Sequence, residues 1–217
     1  MKQFIIFDCD GVIVDSEILA IEVLLSSLKP YGYSSTVQKW ASEYSGLRTR
    51  DILDLLRRRH GLPLPEDFYE QNRSVAKQRF QKDLTAVPGM PELILSLSVC
   101  KAVVSNSKQN HVALCLEKAN LSACFDPHIY TSDMVVHSKP APDLYLLALE
   151  QLNASPDKCI VVEDSVAGAS AAIAAGIEVI GFVGGLHVTD EHADVLLKAG
   201  VSQIATDAEQ LGEILLA

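Results

Sequence analysis

A chain of 217 residues with 48 % hydrophobic and 21 % charged residues can bury a large core, which excludes wholesale disorder. Its formal net charge of −10, from 18 basic and 28 acidic residues, sets a field that repels nucleic acid and anionic membrane surfaces. The same field repels a phosphorylated metabolite, so a site for one has to invert it locally.

Aromatic residues make up only 6 %, and Leu, Ile, Val and Ala carry the apolar weight, a mixture that suits a buried parallel sheet covered by helices. The opening apolar run stops at Asp8, too short for a signal-peptide core or a membrane span. Five cysteines (Cys9, Cys100, Cys115, Cys124, Cys159) without a CxxC spacing argue against a disulfide framework or a zinc cluster. They read as buried or half-buried thiols in a reducing cytoplasm.

In chain order, short β-like runs lie at 3–7, 101–104, 127–131, 159–162, 179–183 and 203–205, most ending in polar or acidic residues. Most are continuously apolar, as strands buried on both faces are. Helical patterns separate them: 110–118 stopping near Asn120, 143–152 after a proline entry, and 166–175 closed by Gly176. Strands alternating with helices predict a doubly wound α/β sheet. From Val14 to about Leu84 that rhythm breaks, and helical periods at 17–28, 36–44, 49–60 and 65–81 carry the segment together with a cluster of arginines. The expected organisation is an α/β core from 1–14 and 85–217 with a helical insert at 15–84.

Ligands in open α/β sheets sit beyond the carboxyl ends of the strands. The residues found there are Asp8, Asp10 and Gly11, then Ser105, Asn106 and Ser107, then Lys139 in SKPAPDLY, then Glu163 and Asp164. Several carboxylates in a partly dry site repel one another and persist together only with a cation. Oxygen-only donors select a hard ion, Mg²⁺. With that ion in place one Asp is free to attack phosphorus, another to act as acid and base, while a hydroxyl and a lysine hold phosphoryl oxygens.

The segments FDCDGVIVDSE, VVSNS, SKPAPDLY and VVEDSVAGASAAIAAG resemble, in order and spacing, the four motifs of the haloacid-dehalogenase-like superfamily. The insert resembles its type I helical cap, and the EDS form of the last motif resembles the β-phosphoglucomutase and sugar-phosphate phosphatase branch. The resemblance implies Asp8 as nucleophile, Asp10 as acid and base, and Ser105 and Lys139 on the phosphate, and Gly11 and Asn106 are also expected to bind the phosphate. It implies Mg²⁺ on Asp8, the Asp10 carbonyl and Asp164, with Glu163 beside the metal. It also implies Gly46 and Arg48, in SGLRTR, as leaving-group contacts, with Arg50 a weaker candidate. The expected activity is a phosphatase for a small phosphorylated sugar, polyol or sugar acid. A phosphosugar mutase is the alternative, disfavoured because Ala20 stands where mutases of this branch place a cap histidine. A catalytically silent metabolite-binding protein is a second alternative, disfavoured by the intact Asp8 and Asp10.

Other residues read more plainly. Asp15 and Glu17 suit the start of the first cap helix. Arg57, Arg58 and Arg59 suit a solvated helix face, Trp40 the insert's core, and His187 and His192 a surface loop. Strand alternation turns Cys9 away from its neighbouring aspartates and into packing.

Overall fold

The structure, a computed structural model, describes residues 2–44, 47, 49–185 and 192–216. Six strands, β1 (Phe4–Phe7), β2 (Cys100–Ser105), β3 (Ile129–Thr131), β4 (Cys159–Glu163), β5 (Glu178–Phe182) and β6 (Gln203–Ala205), form one sheet in the order β3-β2-β1-β4-β5-β6. Every pairing in it is parallel. The helices are α1 (Ser16–Leu28), α2 (Val37–Tyr44), α3 (Thr49–His60), α4 (Phe68–Asp83), α5 (Met90–Ser96), α6 (Gln109–Lys118), α7 (Ser122–Phe125), α8 (Asp143–Leu152), α9 (Val166–Ala174), α10 (His192–Ala199) and α11 (Ala208–Leu216). No helix among the described residues is long and apolar enough to cross a membrane.

The chain divides into two compact units, one of Met1–Asp15 with Thr85–Ala217 and one of Ser16–Leu84. In the first, β1 lies at the centre of a doubly wound parallel sheet. From β1 the chain builds outward through β2 to β3, then crosses back to β4 and builds outward to β6. The strand order therefore reverses between β1 and β4, and a crevice opens beyond their carboxyl ends. Continuous apolar runs make this possible: β4 is buried at all five positions, and Ile6, Val104 and Val161 join the small residues Ala169, Ala171 and Ala172 of α9 in one core. The two segments where the chain leaves and re-enters this unit pair with each other. Val14 bridges Ala86, Val87 N–H donates to the Ile13 carbonyl at 3.0 Å, and Asp15 N–H donates to the Thr85 carbonyl at 3.1 Å.

The second unit is helical and has its own core of Leu24, Leu28, Trp40, Tyr44, Ile52, Leu53, Leu56, Leu64 and Phe68. Trp40 packs between Tyr44 and Tyr33, at ring separations of 4.6 and 5.8 Å. Glu17 lies in the first turn of α1, where a negative charge meets the positive helix end. Helix α4 begins at Phe68 rather than at Pro65, because the Phe68 N–H is taken by the Pro65 carbonyl at 3.1 Å in a turn that precedes the helix.

Candidate active site

The register of the sheet assembles the site. Phe7 pairs with Val103 of β2 and Val162 of β4, so the residues that follow these three strands emerge side by side. Asp8 N–H donates to the Val162 carbonyl at 2.9 Å, which seats the first residue beyond β1 against the end of β4. The chain then turns tightly: Ile13 and Val14 N–H both donate to the Cys9 carbonyl, and Gly11 N–H to the Val14 carbonyl. Gly11 has φ +81°, and a Cβ there would stand 1.9 Å from Asp164 Oδ2. Glycine is required twice, for the left-handed backbone and for the approach of Asp164.

Lys139 lies at the centre, its side chain 2 % exposed. Its ammonium donates to Asp8 Oδ1 (2.6 Å), Glu163 Oε1 (2.6 Å) and the Val104 carbonyl (2.7 Å), which commits all three protons. The Asn106 amide holds the lysine backbone from both sides: Nδ2 donates to the Lys139 carbonyl and Oδ1 accepts from Lys139 N–H, each at 2.9 Å. The phosphate contact expected of Asn106 is corrected here, because both ends of its amide are occupied in placing Lys139. Ser105, also buried, accepts at Oγ from Ser107 N–H at 3.0 Å, so its own proton is available to another partner.

Glu163 is fully buried, and protein donors surround it. Oε1 accepts from Lys139 and from the Tyr145 hydroxyl (3.1 Å), and Oε2 accepts from Ser165 N–H (3.1 Å) and Ser165 O–H (3.0 Å). Those four bonds use its acceptor capacity. Ser165 also caps α9 through Gly168 N–H at 3.0 Å.

Electrostatics follow from this packing. Burial raises the Asp8 carboxyl well above the usual range; Lys139 opposes, while Glu163, Asp164 and Asp10 add to the rise. Burial alone would lower the Lys139 ammonium, but Asp8 and Glu163 outweigh it and hold the group well above the usual lysine range. Asp8, Glu163 and Asp164 each bring an oxygen within 4.8 Å of the others. Such a cluster, with its central acid pushed up, is relieved by a hard divalent cation.

Asp10 faces a different set of partners. Ser107 Oγ donates to its Oδ2 at 2.7 Å, and His111 Nε2 lies 2.9 Å from its Oδ1. The bond to Asp10, then one with Cys115, pushes the His111 imidazole up to about 10 against the opposing effect of burial. Hydrogen bonding with Cys9 brings the Cys115 thiol down to about 7, burial opposing and His111 assisting. Cys9 is buried, as packing predicts, and its neighbour is this second thiol.

Sequence reasoning passed over His111. The available signal was its spacing: His111 and Cys115 are four apart on α6 and share one face of that helix. His192 is corrected by the structure. It opens α10 instead of lying in a loop, and its Nε2 donates to the Asp164 carbonyl at 2.5 Å, because α10 packs on α9 and β5 beside the end of β4. Arg50 is engaged within the helical unit, 3.1 Å from Glu70 and 4.4 Å over the Tyr69 ring. Gly46, Arg48 and His187 lie outside the described residues.

The family model described as haloacid dehalogenase-like hydrolase matches residues 5–182. A 6-phosphogluconate phosphatase of Escherichia coli is 29 % identical over 85 % of this chain and 84 % of its own. A phosphorylated carbohydrates phosphatase of Thermotoga maritima is 31 % identical over 96 % of each chain. Among solved structures, a HAD family hydrolase of Deinococcus radiodurans with bound phosphate and sodium superposes with a TM-score of 0.89 at 31 % identity, covering 99 % of this chain and 95 % of the other.

Proposed function

Because the chain belongs to the haloacid dehalogenase-like hydrolase family, we propose that it is a Mg²⁺-dependent phosphatase that hydrolyses a small phosphorylated sugar, polyol or sugar acid through an aspartyl-phosphate. One observation carries the reading. Asp8 lies buried against the Lys139 ammonium, with oxygens of Asp164 and Glu163 within 4.8 Å, while Asp10, two residues on, is engaged by Ser107 and His111. This separates a nucleophile from a proton carrier.

In the first step an Asp8 oxygen bonds to phosphorus as the bond from phosphorus to the leaving oxygen breaks, and Asp10 gives its proton to that oxygen. In the second step water adds to phosphorus, the bond to Asp8 breaks, and Asp10 takes the proton from water. The Ser105 hydroxyl holds a phosphoryl oxygen, and so does Lys139, whose bond to Asp8 Oδ1 passes to the phosphoryl group as Asp8 attacks while its bonds to Glu163 and the Val104 carbonyl stay. Asp8, Asp164 and the Asp10 carbonyl fit a hard cation, which when bound keeps Asp8 ionised and neutralises phosphoryl charge. Glu163 is read as the anchor of Lys139 rather than a metal ligand, because its four acceptor positions are already filled. Gly46 and Arg48 keep, on sequence alone, their assignment to the leaving group, and the helical unit its assignment as a cap.

The names of the two phosphatase relatives support a phosphorylated carbohydrate or sugar acid as the substrate class. Ala20 supports hydrolysis over phosphoryl transfer between sugar hydroxyls. The test is inorganic phosphate release across a panel of sugar, polyol and sugar-acid phosphates with Mg²⁺ present. Asp8→Asn is expected to lower turnover by roughly 10⁴-fold or more, and near-wild-type activity in that variant overturns the nucleophile. Chelation is expected to stop turnover and added Mg²⁺ to restore it. Conversion of a hexose 1-phosphate to its 6-phosphate without phosphate release would move the protein to the mutase reading.

A further inference from the structure

Three side chains of the α/β unit stand together in a way that phosphate hydrolysis does not require. His111 and Cys115 lie one turn apart on α6, and His111 Nε2 reaches Asp10 Oδ1 at 2.9 Å across 101 residues of sequence. Asp10, His111 and Cys115 each offer one donor atom, and the three atoms lie within 4.8 Å of one another. The sulfur is fully buried, whereas the Asp10 and His111 side chains are 21 % and 25 % exposed, so the group has a closed soft end and an open approach from solvent.

We propose that the side chains of Asp10, His111 and Cys115 form a second cation site, for a borderline-soft divalent ion such as Zn²⁺, beside the oxygen-only set of Asp8, Asp164 and the Asp10 backbone carbonyl. The donor types decide the metal: a thiolate with an imidazole and one carboxylate suits zinc and is poor for Mg²⁺. Tetrahedral zinc with these ligands needs donor separations of about 3.4–3.6 Å. The His111–Asp10 pair, 2.9 Å apart, opens by about half an ångström to reach that, and the sulfur already lies within 4.8 Å of both. On binding, the ion replaces the hydrogen shared between His111 and Asp10, and that proton and the thiol proton of Cys115 pass to solvent. Cysteine spacing pointed away from zinc because only one of the three donors is a cysteine, and Asp10 comes from a separate segment that only the fold brings to α6.

Occupation of this site takes an oxygen of Asp10, so zinc inhibits hydrolysis even when Mg²⁺ is saturating. That consequence rests on the acid-base role proposed for Asp10; the site itself does not. The test uses the full chain in excess Mg²⁺ with Co²⁺ as the spectroscopic probe. Wild-type protein is expected to show thiolate-to-cobalt charge-transfer absorption in the near ultraviolet, which an oxygen-only site cannot produce, and Zn²⁺ is expected to displace it. Cys115→Ser should abolish the band. His111→Gln, which leaves the buried sulfur in place, should weaken cobalt binding by more than the roughly tenfold that loss of a ligand's outer hydrogen-bond partner costs. No band in wild type, or an undiminished band in either variant, overturns the proposal; so does loss of the band on replacing Cys100 and Cys124 instead. The band is read without turnover, so a protein inactive on every phosphate tested still reports on this site. In phosphate-release assays Cys115→Ser should raise the half-inhibitory Zn²⁺ concentration at least about tenfold relative to its own zinc-free rate, and unchanged inhibition counts against the link to Asp10.

Discussion

Lys139 and Glu163 form the most heavily bonded buried pair described in the site, and Tyr145 shows how it is kept in place. The tyrosine hydroxyl supplies one of four hydrogen bonds to Glu163, and its ring centre lies 5.1 Å from the Lys139 ammonium. A buried acceptor that loses one donor pays a desolvation penalty, while the ring keeps its packing. Tyr145→Phe is therefore expected to cost about 1–2 kcal/mol of stability in urea unfolding. It should also reduce kcat more than KM, because the lysine it steadies acts on the transferring phosphoryl group. Removal of the carboxylate by Glu163→Ala goes further, leaving the ammonium with one carboxylate in place of two. Its expected cost is about 3 kcal/mol, at the low end for a broken buried ion pair because Asp8 remains.

At the level of elements, α9 shows a conflict between propensity and position. Gly168 sits inside a helix, where alanine is normally favoured by roughly 1 kcal/mol. A Cβ at this position would lie 1.6 Å from Glu163 Oε1. Gly168→Ala must push that carboxylate off Lys139 and Tyr145, so the substitution is expected to destabilise the protein and cut turnover by more than about tenfold, a barrier increase above about 1.4 kcal/mol. A gain in unfolding midpoint with full activity would show that Glu163 yields without consequence. Helix α10 has a comparable role through one contact, since its first residue, His192, reaches the Asp164 carbonyl.

For the molecule as a whole, each compact unit has a hydrophobic core of its own. The point where the chain leaves the α/β unit is hydrogen-bonded to the point where it returns, Asp15 to Thr85. Replacing 16–84 by a short Gly/Ser turn is therefore expected to leave a chain that unfolds cooperatively in urea; a collapsed product without a cooperative transition would show that the helical unit is needed for folding. Charge divides along the same boundary. Residues 16–84 hold 11 basic and 9 acidic side chains, whereas the rest hold 7 and 19, so the α/β unit carries the whole of the chain's negative excess. Part of that excess is the carboxylate cluster itself, which a hard cation would offset.

The sequence by itself determined the architecture and the membership of the strand-end cluster. Continuous apolar runs locate parallel strands to within a residue or two, and α3 and α8 begin and end where their periodicity says. Asp8, Ser105, Glu163 and Asp164 were legible because they follow such runs, and a strand delivers its next residue to the crevice whatever its distant neighbours are. Tertiary structure decided how those residues are engaged. It turned the Asn106 amide onto the Lys139 backbone, saturated Glu163, and brought His111 to Asp10 and His192 to Asp164. Apart from the two bonds that Ser165 gives to Glu163, these contacts join residues 18 to 101 positions apart, and no local period encodes them. They exist because β1 lies between β2 and β4, so that residues carried by α6 and α10, far apart in sequence, come to rest beside one strand-end crevice.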